Sequence, residues 1–409
     1  MILSKSASCF FNLVSIWLII DAINGFFLNN GIAIPLSPLY KIIVMIIVTI
    51  GLTSFRNGVI TILNIYLYIS IFFLHMVLNI RMPMIGETMN YLFRFILIIL
   101  IYTYVKNLVQ KNYEEIYHRI SKIFNINLWV LIANIFIGLL GLGYSAYVEG
   151  LGFRGFFYAG NELSGIIIVL LPFFLYQIGE KHSYHDLHYI GAAFLCLATA
   201  TLLGTKTGLL AVIISLIVIP NLSISYKKLI KIIPIISIFL CFICYVLYSV
   251  LDSLGMVERW IYFYEQGGLS QLLLSGRHEF WAAEKDKFFL ASNPLIRIFG
   301  LGLSGDKAIE MDPLDTLLYF GYIGVIITYT FYFYLLFKSY QYRTQNKIAR
   351  LVFYINLLLL SSSTFAGHIL YSGMASLFIA LINTLIYIPN NIVSIKKEPH
   401  ETPQNSCNI

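Results

Sequence analysis

Apolar runs long enough to cross a bilayer dominate this chain, and polar residues are largely confined to the short breaks between them. Such runs, each of roughly 17 to 25 residues, fall near 9–28, 36–54, 59–78, 91–105, 125–145, 162–179, 189–204, 207–223, 232–250, 314–337, 351–366 and 369–390. They predict an all-α polytopic membrane protein with about 12 transmembrane helices, or 10–12 if the shortest runs are set aside. One stretch breaks the pattern. Residues 251–313 mix Arg259, Arg277 and Arg297 with Glu258, Glu279, Glu310 and Asp312, and read as a long outer loop containing short amphipathic helices. The expected organisation is one transmembrane domain over 1–395, with loop 251–313 as its only extramembrane lobe. Residues 396–409, polar and holding Pro399 and Pro403, read as a disordered tail. No internal repeat is visible, so the paired halves common in secondary transporters find no support.

Charged residues make up 11% of the chain and hydrophobic ones 59%, with a mean hydropathy of +0.81. Soluble domains carry about 25% charged residues, so soluble-enzyme chemistry is excluded. Short cytoplasmic segments keep Lys and Arg, whereas translocated ones lose them. With the N-terminus inside, Lys106, Lys111, Arg119, Lys122, Lys227, Lys228, Lys231, Arg343, Lys347 and Arg350 all fall on the cytoplasmic side. Both termini are then cytoplasmic, and the loops around Arg154, Lys206, Arg277 and His368 face outward. The net charge of +7 is a topological signal on this reading, and no nucleic acid is expected as a partner. The first apolar run follows Lys5 without a small-residue cleavage site and reads as a retained helix. Cys9, Cys196, Cys241 and Cys244 lie in apolar runs and Cys407 in the tail, which leaves no outer-loop thiol for a disulfide.

The outward loops hold the candidate chemistry. Between the fifth and sixth runs, Gly152, Gly155, Gly160 and Gly165 let backbone approach a ligand closely, and Arg154 offers a guanidinium for a phosphate. The same Arg154 could equally anchor a tight turn at the interface, and Asn161 could simply cap the helix that follows. Lys206 sits at a hairpin tip, Gly204 to Gly208, as an interfacial anchor or as a second cation for an anionic headgroup. Arg277 follows a Ser-Gly turn and opens an amphipathic segment with Phe280, Trp281, Phe288 and Phe289 on its apolar side.

Asp312 before Pro313, with Asp315 three residues on, is a helix-start signature, so capping explains much of both carboxylates. Glu310 lies outside that helix and is the better candidate for a general base. His368, in the turn between the last two runs, either holds structure or orients substrate and shuttles a proton. Asp21 and Arg94 are intramembrane charges, which imply function or mutual pairing. His182, His185 and His188 recur at i, i+3 and i+6 in a cytoplasmic loop; they resemble a metal site without a fourth ligand, and a solvated loop is the simpler reading.

Taken together, these loops resemble those of the O-antigen ligase and O-antigen polymerase superfamily. The likeness rests on Arg154 through Asn161, Thr205 with Lys206, Gly276 and Arg277 with Trp281, Pro294 through Gly302, and Gly321 with Gly324, in that order over roughly 150–325. Two positions depart from the family pattern. Lys206 stands where Arg is usual, and Glu310 where the ligases carry His; the second change favours a polymerase.

The resemblance implies a membrane glycosyltransferase of the GT-C type in the cytoplasmic (inner) membrane, acting at its outer face. Its donor would be a polyprenyl-diphosphate-linked oligosaccharide. Membrane lipid, a chain-length regulator and a flippase are the partners it admits. On this reading Arg154, Lys206 and Arg277 bind the diphosphate and stabilise the charge that develops on it. Glu310, Asp312 and His368 are the catalytic candidates, and neither metal nor cofactor is expected. A ligase moving glycan onto lipid A core uses the same donor chemistry, and a transporter is the reading from another class.

Overall fold

The computed structural model describes residues 5–79, 82–146, 152–222, 255–302, 309–365 and 367–389, with isolated positions at 245, 248, 249 and 252. Helices α1 (Lys5–Val14) and α2 (Trp17–Asn29) meet at a 46° bend and together make one apolar span. They are followed by α3 (Leu36–Leu52), α4 (Arg56–Asn79), α5 (Met82–Val109) and α6 (Tyr113–Leu139). A two-stranded hairpin, β1 (Tyr144–Ser145) and β2 (Phe153–Gly155), leads into α7 (Gly160–His182), α8 (Leu187–Leu203) and α9 (Lys206–Asn221). The 251–313 segment supplies α10 (Met256–Leu274), α11 (Arg277–Phe289) and α12 (Pro294–Phe299). The chain returns through α13 (Asp312–Tyr342), α14 (Lys347–Phe365) and α15 (Ser376–Thr384).

Among the described residues six helices are long and apolar enough to span a membrane, and a seventh span is made if the bent α1–α2 pair is counted as one. Four shorter apolar helices, α3, α8, α9 and the stretch from Ser376 to Tyr387, lie among them. The all-α polytopic fold therefore holds, but the described residues do not reach the expected twelve. The predicted run 232–250 falls almost entirely outside them, as do Cys241, Cys244 and the tail from Lys396.

Helix α7 is the most buried of the long spans and α4 the least. Side chains from Leu163 to Leu171 are buried all round α7, the pattern of a helix enclosed by its neighbours. On α4, by contrast, Leu63, Tyr66, Leu67, Leu74 and Leu78 stay exposed, as apolar side chains facing lipid would. Two ion pairs lie inside the bundle. Lys41 meets Asp21 at 2.7 Å, and Arg94 meets Glu162 at 3.2 Å, so the two intramembrane charges read from sequence do not pair with one another. At the opposite end of the bundle from the hairpin Gly204–Thr205, Lys347 bridges Glu180 at 3.1 Å and joins the end of α7 to the start of α14.

Two irregular stretches shape the site. Helix α13 breaks at Gly321, whose φ of 64° lies in the left-handed region. A Cβ there would stand 2.4 Å from the carbonyl oxygen of Ile298, and one on Gly300 2.2 Å from that of Tyr319. Backbone therefore packs on backbone, held by Leu301 N donating to Leu318 O at 2.6 Å. This close approach gives the Pro294–Gly302 and Gly321 motif its physical reason: it docks α12 and the turn after it onto α13.

The last predicted span, 369–390, departs from expectation. Its helix starts only at Ser376. From Ile369 to Ala375 the chain runs buried without regular helix. Such backbone is tolerated at membrane depth only when protein satisfies its polar groups. Asp312 accepts from the amides of His368, Ile369 and Leu370 at 2.6, 3.0 and 2.8 Å, and Glu162 from Met374 N at 3.2 Å and Ser372 Oγ at 2.6 Å. Trp17 Nε1 donates to Met374 O at 2.9 Å.

Candidate functional site

A cavity of about 800 Å³ lies between α9, α10, α14 and the tip of the α8–α9 hairpin. Lys206, Arg259 and Arg277 line it together with Asn161, Ser164, Thr205 and Ser275. Its remaining wall is largely apolar, with Leu209, Leu210, Ile213, Ile214 and Leu358. Gly204 closes α8 in the left-handed conformation, and Thr205 caps α9 by accepting from Gly208 N at 3.3 Å. Ser164 Oγ donates to Thr205 Oγ1 at 2.9 Å and locks the hairpin tip to α7. The chain thus has no slack where Lys206 begins α9.

Lys206 Nζ donates to Leu272 O at 2.7 Å and Ser275 Oγ at 3.4 Å, and sits 5.1 Å from the Phe263 ring centre. An ammonium has three N–H groups, so these two bonds leave one for a ligand. Burial, and then the nearby charges of Arg259 and Arg277, pull its pKa down to about 8. Arg277 Nη1 donates to Phe365 O at 2.9 Å and Nη2 to Glu310 Oε2 at 3.0 Å, while its buried Nε has no hydrogen-bond partner among the described residues. A buried donor without a partner costs about 1–3 kcal/mol, a cost that an anionic ligand would remove.

Glu310 Oε2 also accepts from Asn161 Nδ2 at 3.3 Å, so the carboxylate joins the start of α7 to the start of α11. Its backbone is left-handed at φ 62°, and so is that of His368 at φ 66°. For residues with a Cβ such a conformation costs about 1–3 kcal/mol each and persists where packing enforces it. Gly367 does the enforcing: a Cβ there would lie 2.2 Å from the carbonyl carbon of Glu310. The segment pinned by Asp312 and Glu162 therefore presses directly on the Glu310 backbone and fixes where its carboxylate can reach.

His368, Asp312 and Asp315 draw ligand atoms within 4.8 Å of one another. The carboxylates are nevertheless engaged by backbone, Asp312 as above and Asp315 through the amides of Ile309 and Met311 at 2.9 and 3.1 Å. Both hold loops in place. Asp312 is thus a structural anchor in this arrangement and does not line the cavity. His368 Nδ1 faces Tyr91 Oη at 3.3 Å, on the far side of the Gly367 turn.

The structure brings Lys206, Arg277 and Glu310 together but leaves Arg154 out. Arg154 Nε donates to Ser145 O at 2.9 Å, Nη1 to Tyr158 O, and Nη2 to Asn29 Oδ1 at 3.2 Å, so the guanidinium ties the β-hairpin to α2. Sequence reasoning missed Arg259, which takes the third cationic place. The signal for it was a Glu258, Arg259, Trp260 and Phe263 cluster inside what reads as loop, where one turn of helix sets Arg259 beside Phe263 at 5.7 Å.

These features define a multi-pass membrane protein with a cation-lined, lipid-sized cavity at one end of its helices. Residues 39–226, a little under half of the chain, match the family model described as O-antigen ligase like membrane protein. The matched region holds Arg94, Glu162 and Lys206; Arg259, Arg277 and Glu310 lie beyond it. No curated protein matches the chain.

Proposed function

We propose that this protein is a polysaccharide polymerase of the O-antigen type, joining oligosaccharide units carried on polyprenyl diphosphate at the outer face of the cytoplasmic membrane. One observation carries the reading: three cationic side chains stand at a cavity whose other wall is apolar. A diphosphate with an isoprenoid tail has that same division of charge and grease. Lys206, Arg259 and Arg277 stabilise the negative charge that grows on the diphosphate as its bond to the anomeric carbon breaks. Glu310 takes the proton from the attacking sugar hydroxyl. Before the donor arrives Glu310 is held by Arg277; donor phosphate competes for that guanidinium and releases the base.

Glu310 supports a polymerase over a ligase, because a carboxylate stands where the resemblance places a ligase histidine. Deletion of the gene tests the choice. A polymerase deletion is expected to replace the ladder of surface polysaccharide on a gel with single-unit chains. Loss of all attached glycan would point to ligation, and an unchanged ladder would sink both.

Lys206 makes donor use depend on pH. Its ammonium is cationic below about 8 and neutral above, so the KM for the lipid-linked donor is expected to rise as pH climbs through that window. Lys206→Arg keeps its charge and should flatten the rise. Identical KM profiles from pH 7 to 9 in both proteins would remove Lys206 from the phosphate site.

A further inference from the structure

We infer a second site at the other end of α7: His182, Asp186 and His188 bind a borderline divalent cation of the Zn²⁺ class and clip α7 to α8. With about 1.5 Å of rise per residue, the 23 residues of α7 put His182 about 33 Å from Gly160, well away from the cationic cavity. The sequence marks three histidines at i, i+3 and i+6, but the fold selects another set.

Asp186 Oδ2 lies 3.1 Å from His188 Nδ1 and 3.9 Å from His182 Nδ1. One ligand atom from each of the three residues lies within 4.8 Å of the others. Tetrahedral zinc with bonds of about 2.0–2.2 Å sets neighbouring donors roughly 3.3–3.5 Å apart, so small side-chain shifts complete the triangle, and water fills the fourth place. Imidazole and carboxylate suit zinc, nickel or copper over magnesium or calcium, which prefer all-oxygen sites.

A second observation separates this cluster from the Asp312 group. Asp186 occupies the N-cap position of α8, where a carboxylate ordinarily accepts from the first helical amides, yet its side chain makes no cap hydrogen bond. It turns to the two imidazoles instead. Those rings stack at 4.3 Å and 13°. Parallel rings aim their lone pairs in parallel, so binding requires one to swing; His188, with 66% of its side chain exposed, has the room.

The test uses the full-length protein in detergent without a histidine tag. Titration with Zn²⁺ alone is expected to show one equivalent bound and a rise in thermal stability, because a ligand that binds only the folded state stabilises it. His182→Ala and Asp186→Asn should each weaken binding at least as much as loss of an outer-shell partner does, roughly 10–100-fold. The His182→Ala/His188→Ala double variant should lose both the equivalent and the stabilisation while eluting as the wild type does. Absence of stoichiometric zinc in the wild type would overturn the site, and so would undiminished binding by the double variant.

Discussion

Arg277→Ala is expected to insert normally and yet to form polymer some 10²–10³-fold more slowly, the loss that follows removal of one donor aimed at developing negative charge. The effect should be large because this guanidinium serves several groups at once. It stands at the cavity mouth with only 14% of its side chain exposed, holds Glu310 at 3.0 Å and bonds Phe365 O at 2.9 Å. Removing it takes away a charge the diphosphate would meet and unties the carboxylate from its place. Both KM and kcat should suffer. Arg277→Lys is the informative companion. An ammonium keeps the charge but lacks the planar, two-pronged fork, so intermediate activity is expected. Insertion should be unaffected because Arg277 begins α11, which is not one of the candidate spans among the described residues. A full-length ladder from Arg277→Ala at normal protein levels would end its role.

Much of this arrangement could be read from the chain, and the parts that could not share a physical cause. Long apolar runs report themselves, since a bilayer demands about twenty such residues in a row. Lys206 and Glu310 were legible because each interrupts or borders such a run, and Arg277 because it opens an amphipathic segment after a Ser-Gly turn. Arg154 stayed open between a phosphate ligand and a turn anchor because a charge at a glycine-rich turn looks alike from sequence whether it meets a ligand or the backbone of its own loop; here its bonds go to Ser145, Tyr158 and Asn29. The unwound 369–375 stretch was hidden for a related reason. Ile369, Leu370, Tyr371, Met374 and Ala375 are as apolar as any helix, and only the distant carboxylates of Asp312 and Glu162 allow their backbone to leave helical form. Hydropathy records what a segment can bury. It does not record which far-off group will accept its amides.

That dependence links the buried charges to the site. Glu162 is paired with Arg94 and holds Met374 N and Ser372 Oγ; Asp312 holds the three amides from His368 to Leu370. Between them they set the height of Gly367, which packs on Glu310. The carboxylate that bonds Arg277 is thus positioned by two carboxylates that do not.

Glu310→Gln isolates the base from this scaffold. Glutamine has nearly the same shape and tolerates the same backbone, so the contact with Gly367 and the hydrogen bond to Asn161 can both be kept. It cannot accept a proton from the acceptor sugar, and kcat is expected to fall roughly 10²–10⁴-fold, the usual contribution of a positioned general base. The KM for the donor should not rise. A neutral amide competes weakly for Arg277, so donor phosphate no longer has to displace an ion pair, and binding should be unchanged or tighter. A fall in kcat without a rise in KM separates the proton acceptor from the phosphate ligands, whose loss raises KM. If Glu310→Gln membranes polymerise purified lipid-linked units at the wild-type rate, the carboxylate is only Arg277's partner, and the proton must leave by another group.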